Sequence, residues 1–305
     1  MPDAECSDGD MATERLVFRT PRFALCILSS YACRMPDHLP GLLVLDAGNP
    51  GPMTGAGNHT YLLLGRTPTL IDAGVGRPAH LAALAAALEG AQGPLAQVLV
   101  THAHADHVFG APALRQRWPG ARFLKHPWPA MDARHDVSWQ PIAHGDVLEA
   151  GDTTLHAVHT PGHAPDHLCF WHAESRTLFG GDLLVAGGTV VIPASRGGDL
   201  AAYLRSLAAV AALAPLRVLP AHGPVIDEPT SLIERYSAHR ADREREVLAA
   251  ISAGTASVDA IAACIYPDLA DTARGVAVDT VRAHVKKLRD EGRVIDRDGM
   301  LQILS

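Results

Sequence analysis

The segment Thr101-His-Ala-His-Ala-Asp-His107 constrains this chain more than any other. It follows directly on the apolar run Val98-Leu-Val100, which reads as a buried strand. Three histidines and an aspartate at offsets of 0, 2, 4 and 5 residues cannot all be core residues. A turn leaving the strand points His102 and His104 to one side and Asp106 and His107 to the other. Two such donor sets suit two neighbouring metal ions. Three later segments repeat the order of apolar strand, small residues and then a donor: Thr160-Pro-Gly-His163, Phe179-Gly-Gly-Asp182 and Leu219-Pro-Ala-His-Gly223. Each donor alone has a bland reading, as a polar, capping or turn residue; their joint occurrence after strands marks them as ligands. Ten of the 17 histidines fall between His102 and His167. His126, His135, His144, His156, His159 and His172 lack the strand-end placement and read as surface or supporting residues. His167 reads equally as a partner of a ligand or substrate oxygen and as a structural residue.

Composition narrows the class. With 48% hydrophobic residues and a net charge of −7 over 305 residues, the chain is neither disordered nor a strongly basic nucleic-acid binder. Its length suits one large domain with a smaller one. The five cysteines form no CxxC, so neither a disulfide framework nor a zinc ribbon is expected, and a reducing, cytoplasmic setting is the simplest. Residues 1–35 read as a dispensable N-terminal extension, with Met35 a candidate start. The apolar run Phe23–Cys33 is too short to span a bilayer and its acid-rich flank makes a poor signal peptide. No other segment is expected to cross a membrane.

From Leu42 to Leu219, short apolar strands alternate with helical stretches, of which Pro78–Leu88 and Asp199–Leu213, the latter capped by Asp199, are clearest. This pattern implies sheets covered by helices on their outer faces. After Pro229 the pattern changes. Ser231-Leu-Ile-Glu234 reads as a capping box opening a helix to about Ala253. A helix from Ser257 to Cys264 follows, then one capped by Asp279 and ended by Gly292, then a hairpin turning at Asp298-Gly299. Three helices and a hairpin in this order form a winged helix-turn-helix. The expected domains are 1–35, 36–229 and 230–305.

The motif His102-x-His104-x-Asp106-His107, with His163, Asp182 and His222, resembles that of metallo-β-lactamase-superfamily hydrolases. The resemblance runs from about Gly41 to Asp227. It implies a four-layer αβ/βα sandwich, two zinc ions per chain, one on His102, His104 and His163, the other on Asp106, His107 and His222, and an Asp182 bridge. The aspartate bridge and absence of a cysteine ligand resemble the thioesterase, lactonase and nuclease branches rather than the antibiotic-degrading one. A closer resemblance rests on Asn49-Pro-Gly-Pro-Met-Thr54, Asn58-His-Thr-Tyr-Leu62, Leu70-Ile-Asp-Ala-Gly74, Pro220-Ala-His-Gly-Pro-Val-Ile226 and Glu291-Gly-Arg-Val294. These are similar to the β-lactamase-like protein 2 group, whose mitochondrial member is a single-strand-specific endoribonuclease and which carries a C-terminal winged helix.

The expected nucleophile is a hydroxide bridging the metals, with Asp106 also catalytic, orienting it and passing a proton to the leaving group. Asp72 is read as holding the free ring nitrogen of a ligand histidine, or else as a turn residue. Asn58 and Tyr61 are read as pocket lining. Single-stranded RNA is the first expected substrate, a small thioester or ester (glyoxalase-II-like) the second, and a DNA-binding regulator with a metal-sensing domain the third. Residues 274–297 carry seven basic against four acidic residues, yet 230–305 carry eleven against twelve. A charge-neutral winged helix points to packing or homodimer formation as readily as to nucleic acid.

Overall fold

The structure, a computed structural model, describes residues 32–34, 39, 41–89 and 91–304. Most of the expected extension, residues 1–31 and 35, lies outside the described residues. Seven strands form the first sheet in chain order: β1 (Ala32–Arg34), β2 (Leu42–Asp46), β3 (His59–Leu63), β4 (Thr69–Ile71), β5 (Gln97–Leu99), β6 (Arg122–Lys125) and β7 (Trp139–Pro141). Pairing is antiparallel from β1 to β4 and parallel from β4 to β7. The second sheet contains β8 (Val147–Ala150), β9 (Thr153–His159), β10 (Leu168–His172), β11 (Thr177–Gly181) and β12 (Arg217–Pro220), in the order β12-β11-β10-β9-β8. Only β11 and β12 pair in parallel in this sheet. The helices are α1 (Pro78–Glu89), α2 (Ala105–Val108), α3 (Ala111–Arg117), α4 (Pro129–Asp132), α5 (Leu200–Ala212), α6 (Pro229–Ser252), α7 (Val258–Ile265) and α8 (Asp271–Asp290).

Successive strand residues point to opposite faces, and here both faces are apolar. Leu62, Leu70, Val98 and Phe123 pack against Leu84 and Leu88 of α1 and Leu114 of α3. Their neighbours Leu63, Ile71, Leu99 and Leu124 turn the other way and meet Leu155, Phe170, Phe179 and Leu219 of the second sheet. Trp171, Leu178 and Val218 then face Tyr203 and Leu207 of α5 and Leu232 and Ile233 of α6. Three apolar interfaces therefore separate four layers: helix, sheet, sheet, helix. That is the sandwich expected from the sequence. The inner strands of both sheets are buried on both sides, which is why they read as mostly apolar runs.

The C-terminal unit has its own core. Val247 and Ile251 of α6 join Ile261 of α7, Val281, Val285 and Leu288 of α8, and Val294 and Leu301 of the hairpin β13 (Val294–Arg297) and β14 (Met300–Ile303). Asp298 and Gly299 both take positive φ at the hairpin turn. α6 thus belongs to two cores: its first half completes the outer layer of the sandwich, its second half packs in the winged helix. A division at 229/230 separates this first half from the layer it completes.

Several elements differ from expectation. β1 lies within the segment read as an extension, pairing with β2 by backbone bonds that need no apolar periodicity. β7 and β8 are largely exposed and carry no apolar signature. α6 starts at Pro229, and Ser231 sits inside the helix bonded to Arg235, so the capping box is not formed. α8 begins two turns before Asp279, whose carboxylate accepts from Ser195 and pairs with Arg282 instead of capping. By contrast Asp199 and Ser257 do cap their helices, accepting from the backbone N–H groups of Ala202 and Ala260. Among the described residues no helix is long and apolar enough to cross a membrane.

Phe170 is fully buried between the sheets. Phe170→Ala is expected to destabilise the protein by about 3–5 kcal/mol in chemical denaturation, whereas Leu216→Ala, at an exposed site, should change it by less than about 0.5 kcal/mol. His284 of α8 is buried with neither ring nitrogen bonded. Burial, helped by the Arg240 charge, pushes its pKa from 6.5 down to about 3. Between those values the unfolded chain binds the extra proton, so stability is full above pH 6.5 and falls as pH drops toward 3, by about 1.4 kcal/mol per unit. Denaturation of His284→Leu across this range should show a slope shallower by one proton; an unchanged slope would contradict the assignment.

Candidate metal centre

All seven strand-end residues singled out in the sequence come together at one edge of the sandwich. His102, His104, His163 and Asp182 form one group, Asp106, His107 and His222 a second, with one donor atom from each residue within 4.8 Å of the others in its group. The strands explain the convergence. β5 delivers Thr101 and the 102–107 turn, β9 leads to His163, β11 to Asp182 and β12 to His222. A register shift between Phe179 and Gly181 brings Gly181 opposite Pro220, which sets Asp182 beside His222. Asn58 bridges to His222 across the two sheets.

Two glycines are needed for steric reasons. Gly162 takes φ +143°, and a Cβ there would lie 2.4 Å from the Tyr203 backbone of α5. Gly181 takes φ +50°, and a Cβ would lie 2.7 Å from His167 Nε2. Each glycine precedes one of the seven residues, so close backbone approach is what puts His163 and Asp182 in place.

Hydrogen bonds set which nitrogen of each imidazole faces inward. His107 Nδ1 donates to Asp72 Oδ2 at 2.8 Å. His163 Nδ1 donates to the Val191 carbonyl at 2.8 Å. Thr101 Oγ1 donates to Asp72 and accepts from His102 Nδ1 at 3.0 Å. Each of these leaves Nε2 directed at the cluster. His104 is reversed: its Nδ1 lies 2.9 Å from His102 Nε2 and 2.8 Å from His163 Nε2. Asp182 stands between the two groups. Its Oδ2 is 3.3 Å from His163 Nε2, and its Oδ1 is 3.5 Å from His107 Nε2 and 3.4 Å from His222 Nε2. Asp106 Oδ2 lies 3.2 Å from His222 Nε2.

The electrostatics divide in the same way. Burial and the neighbouring imidazoles hold His102 well below the usual histidine range, and burial with His163 takes His104 down to about 3. These are neutral donors. Burial would also lower His107, but the carboxylates of Asp72, Asp182 and Asp106 outweigh it and raise its pKa well above 6.5. Burial opposes ionisation of Asp182, yet His107, His163 and His222 hold its pKa well below the ordinary carboxylate value. His107 Nε2 and Asp182 Oδ1 are buried without a hydrogen-bond partner. Unpartnered, convergent imidazole and carboxylate donors of this kind fit divalent cations. A cation entering the second group would displace protons from His107 and His222, so affinity would rise with pH.

Residues outside the seven hold them in place. Asp72, at φ +62°, accepts from Thr101 N, Thr101 Oγ1 and His107 Nδ1. His167 Nε2 accepts from the Asp182 backbone N–H at 3.0 Å, while its Nδ1 donates to Thr160 Oγ1. Asn58 and Tyr61, expected to line the pocket, do not: both are buried. Asn58 Nδ2 donates to the Asp106 carbonyl at 2.7 Å, and the Tyr61 hydroxyl to the Pro220 carbonyl at 2.6 Å. They brace the backbone behind Asp106 and His222. The C-terminal segment also contributes to the site. Tyr236 and Arg240 of α6 bond the backbone of Val185 and Val190, and Asp279 of α8 accepts from Ser195, so the winged helix side holds the 185–196 loop that carries the Val191 carbonyl. No periodicity in the chain signals these contacts. None of His126, His135, His144, His156, His159 and His172 joins the cluster.

Asp72→Ala removes the acceptor for His107 Nδ1. It is expected to weaken divalent-cation binding by about 10–100-fold in chelator competition, with the circular dichroism of the fold retained.

Comparison with known proteins agrees with this architecture. Residues 53–222 match the Metallo-beta-lactamase superfamily, and residues 257–300 the Beta-lactamase associated winged helix domain. The chain is 34% identical over 255 residues to the lactamase-like protein aptB of Emericella nidulans, covering 79% of this chain and 78% of that one. The metallo-beta-lactamase family protein TTHA1429 from Thermus thermophilus shares the fold, with a TM-score of 0.73 at 23% identity over 88% of this chain and all of that one. TTHA1623, solved in a di-iron-bound form, is 30% identical with a TM-score of 0.50, over 61% of this chain and 96% of that one. With its sandwich, its clustered donors and its C-terminal winged helix, the chain belongs to the metallo-beta-lactamase superfamily of metal-dependent hydrolases.

Proposed function

We propose that the protein hydrolyses a small ester or thioester with two zinc ions held by His102, His104, His163, Asp106, His107 and His222, and bridged by Asp182. The observation that carries this reading is the character of the surroundings. The mouth of the cluster is walled by Met53, Leu184, Val185, Val190 and Val191, an apolar setting for an acyl group. The cations of α8 and the wing are largely neutralised already. Lys286 pairs with Asp199 and Asp290, Lys287 with Glu244 and Glu291, Arg293 with Glu244, Arg282 with Asp279 and Arg274 with Asp271. A single-stranded RNA requires an open cationic track and stacking surfaces. Arg289 and Arg297, which make no ion pair among the described residues, support RNA as the second reading.

Zinc so held would lower the pKa of a bound water toward neutrality and polarise the scissile carbonyl. The chain's own residues do the rest. Asp106 reaches the cleft with its carboxylate partly exposed. Burial works against its ionisation, but His107 and His222 keep its pKa below the ordinary carboxylate value. It is therefore an ionised acceptor for the proton that a water loses, and it returns that proton to the departing oxygen or sulfur. Asn58, through the Asp106 carbonyl, fixes where that carboxylate stands. Five imidazoles and two carboxylates suit zinc, and also iron, so metal content is part of the test.

Purified protein should contain two zinc ions per chain by elemental analysis. Zinc-loaded protein should cleave S-lactoylglutathione or a simple aryl ester and leave a labelled single-stranded RNA intact. Asp182→Ala should slow ester or thioester cleavage by at least about 100-fold. RNA cleavage that is lost in Asp182→Ala, with thioester and ester untouched, would overturn the proposal in favour of an endoribonuclease. Bound iron would overturn the metal assignment.

A further inference from the structure

The cleft has a second lobe beyond the mouth of the cluster. Its volume is about 750 Å³, against about 290 Å³ for the mouth itself. His104, Ala105 and Arg196 line both, so the two lobes adjoin. The second lobe is walled by Phe109, Trp128 and Met131 and edged by Arg134, His135 and Arg196. Its size is that of a pocket for a compact organic molecule. Phe109 is 56% exposed, an unusual place for a phenylalanine beside a polar cluster. The His135 ring lies 5.5 Å from the Phe109 ring, and its Nε2 is buried without a hydrogen-bond partner. Arg134 and Arg196 are exposed and make no ion pair among the described residues.

The wall is built rather than incidental. Beneath it the buried Lys125 ammonium bonds Asp132 at 2.6 Å and lies 3.1 Å from the buried Asp166. Asp132 in turn accepts from the Trp128 backbone N–H at 2.8 Å. An ion triad in which Lys125 and Asp166 are fully buried thus holds α4 and Trp128 against β6 and the loop after His163. On the opposite side Ser195, next to Arg196, is tied to Asp279 of α8. Flat apolar rings flanked by two guanidinium groups match a flat apolar group that carries an anionic substituent.

We infer that this lobe is a specificity subsite for the acyl part of the substrate, and that it takes an aryl group bearing a carboxylate. Phe109, Trp128 and Met131 bury the aryl face, and Arg134 and Arg196 hold the carboxylate. This inference rests on the ester or thioester reading above and identifies the acid to be released.

The test titrates 2-naphthoate and its uncharged analogue 2-naphthamide into full-length, metal-loaded protein. Trp128 fluorescence is the readout, with Trp128→Phe as the control for the signal. In the double variant Arg134→Gln/Arg196→Gln, two exposed positions where the fold is not at stake, the Kd for 2-naphthoate should rise about tenfold or more and that for 2-naphthamide should stay within twofold. Phe109→Ala should weaken both ligands alike. A naphthoate Kd unchanged in the double variant, as a carboxylate held by the metal centre alone would give, overturns the subsite. So does failure of both ligands to bind. A matched pair of aryl-acyl esters, with and without the carboxylate, separates this outcome from the fate of the proposed reaction. Binding through the arginines without cleavage of any ester or thioester keeps the subsite and overturns the reaction. Cleavage blind to acyl charge and to the double variant does the reverse.

Discussion

One buried carboxylate organises the metal edge of this protein. Asp72 leaves β4 in a left-handed conformation, which costs an aspartate less than most side chains but is still unfavourable. In return it accepts the Thr101 amide, the Thr101 hydroxyl and the His107 ring N–H. Two adjacent parallel strands, β4 and β5, are thereby tied at their carboxyl ends, and the turn carrying four of the seven donors leaves β5 in a single orientation. Through Thr101 the same carboxylate also reaches His102. Everything chemical at this edge depends on that orientation, because imidazole rings free to rotate would present the wrong nitrogen.

The seven donors were legible in the sequence because each sits where an apolar strand ends, a place where burial and backbone geometry leave few alternatives. That helices would cover the sheets was legible for a related reason, because most strands are buried and largely apolar, whereas the four-layer plan followed from the family resemblance. What supports the donors was harder to read. Asn58 and Tyr61 look like pocket residues in a linear view, but the Asn58 amide N–H and the Tyr61 hydroxyl are spent on the carbonyls of Asp106 and Pro220, which only the folded chain brings near. Asp279 looks like a helix cap because acidic residues favour that position. Its partners, Ser195 and Arg282, depend on how α8 lies over the 194–196 turn. The charge of the tail also depends on tertiary contacts. Seven basic residues in a short stretch suggest a surface for phosphate, whereas folding sets most of them against carboxylates.

The pairing also explains what the winged helix contributes. Lys286 reaches Asp199, which caps α5, and Lys287 and Arg293 pair with Glu244 of α6, so these cations tie α8 and the wing to their neighbours. From α6, Arg240 lies over the Tyr203 ring and bonds the Val190 carbonyl, with its guanidinium almost entirely buried. The next residue along the loop, Val191, orients His163. A contact chain of three residues therefore connects the C-terminal helix to a metal-site imidazole. The loop beside the donors is thus held from α6, beyond the last strand of the sandwich.

α6 carries a further consequence. Because one continuous helix enters both the sandwich and the winged helix, the junction is a rigid axle rather than a tether. An α-helix turns about 100° per residue, so adding a single residue between Arg240 and Val247 would swing one module round the other by that angle, pulling Asp279 from Ser195 and Lys286 from Asp199. Flexible linkers drift in length between relatives at little cost. This junction lacks that freedom, because even a whole added turn would shift the modules by about 5.4 Å along the helix, and a gene segment ending before it would encode a sandwich stripped of part of its outer layer. The two modules are separable as sequence matches but inherit as one mechanical unit.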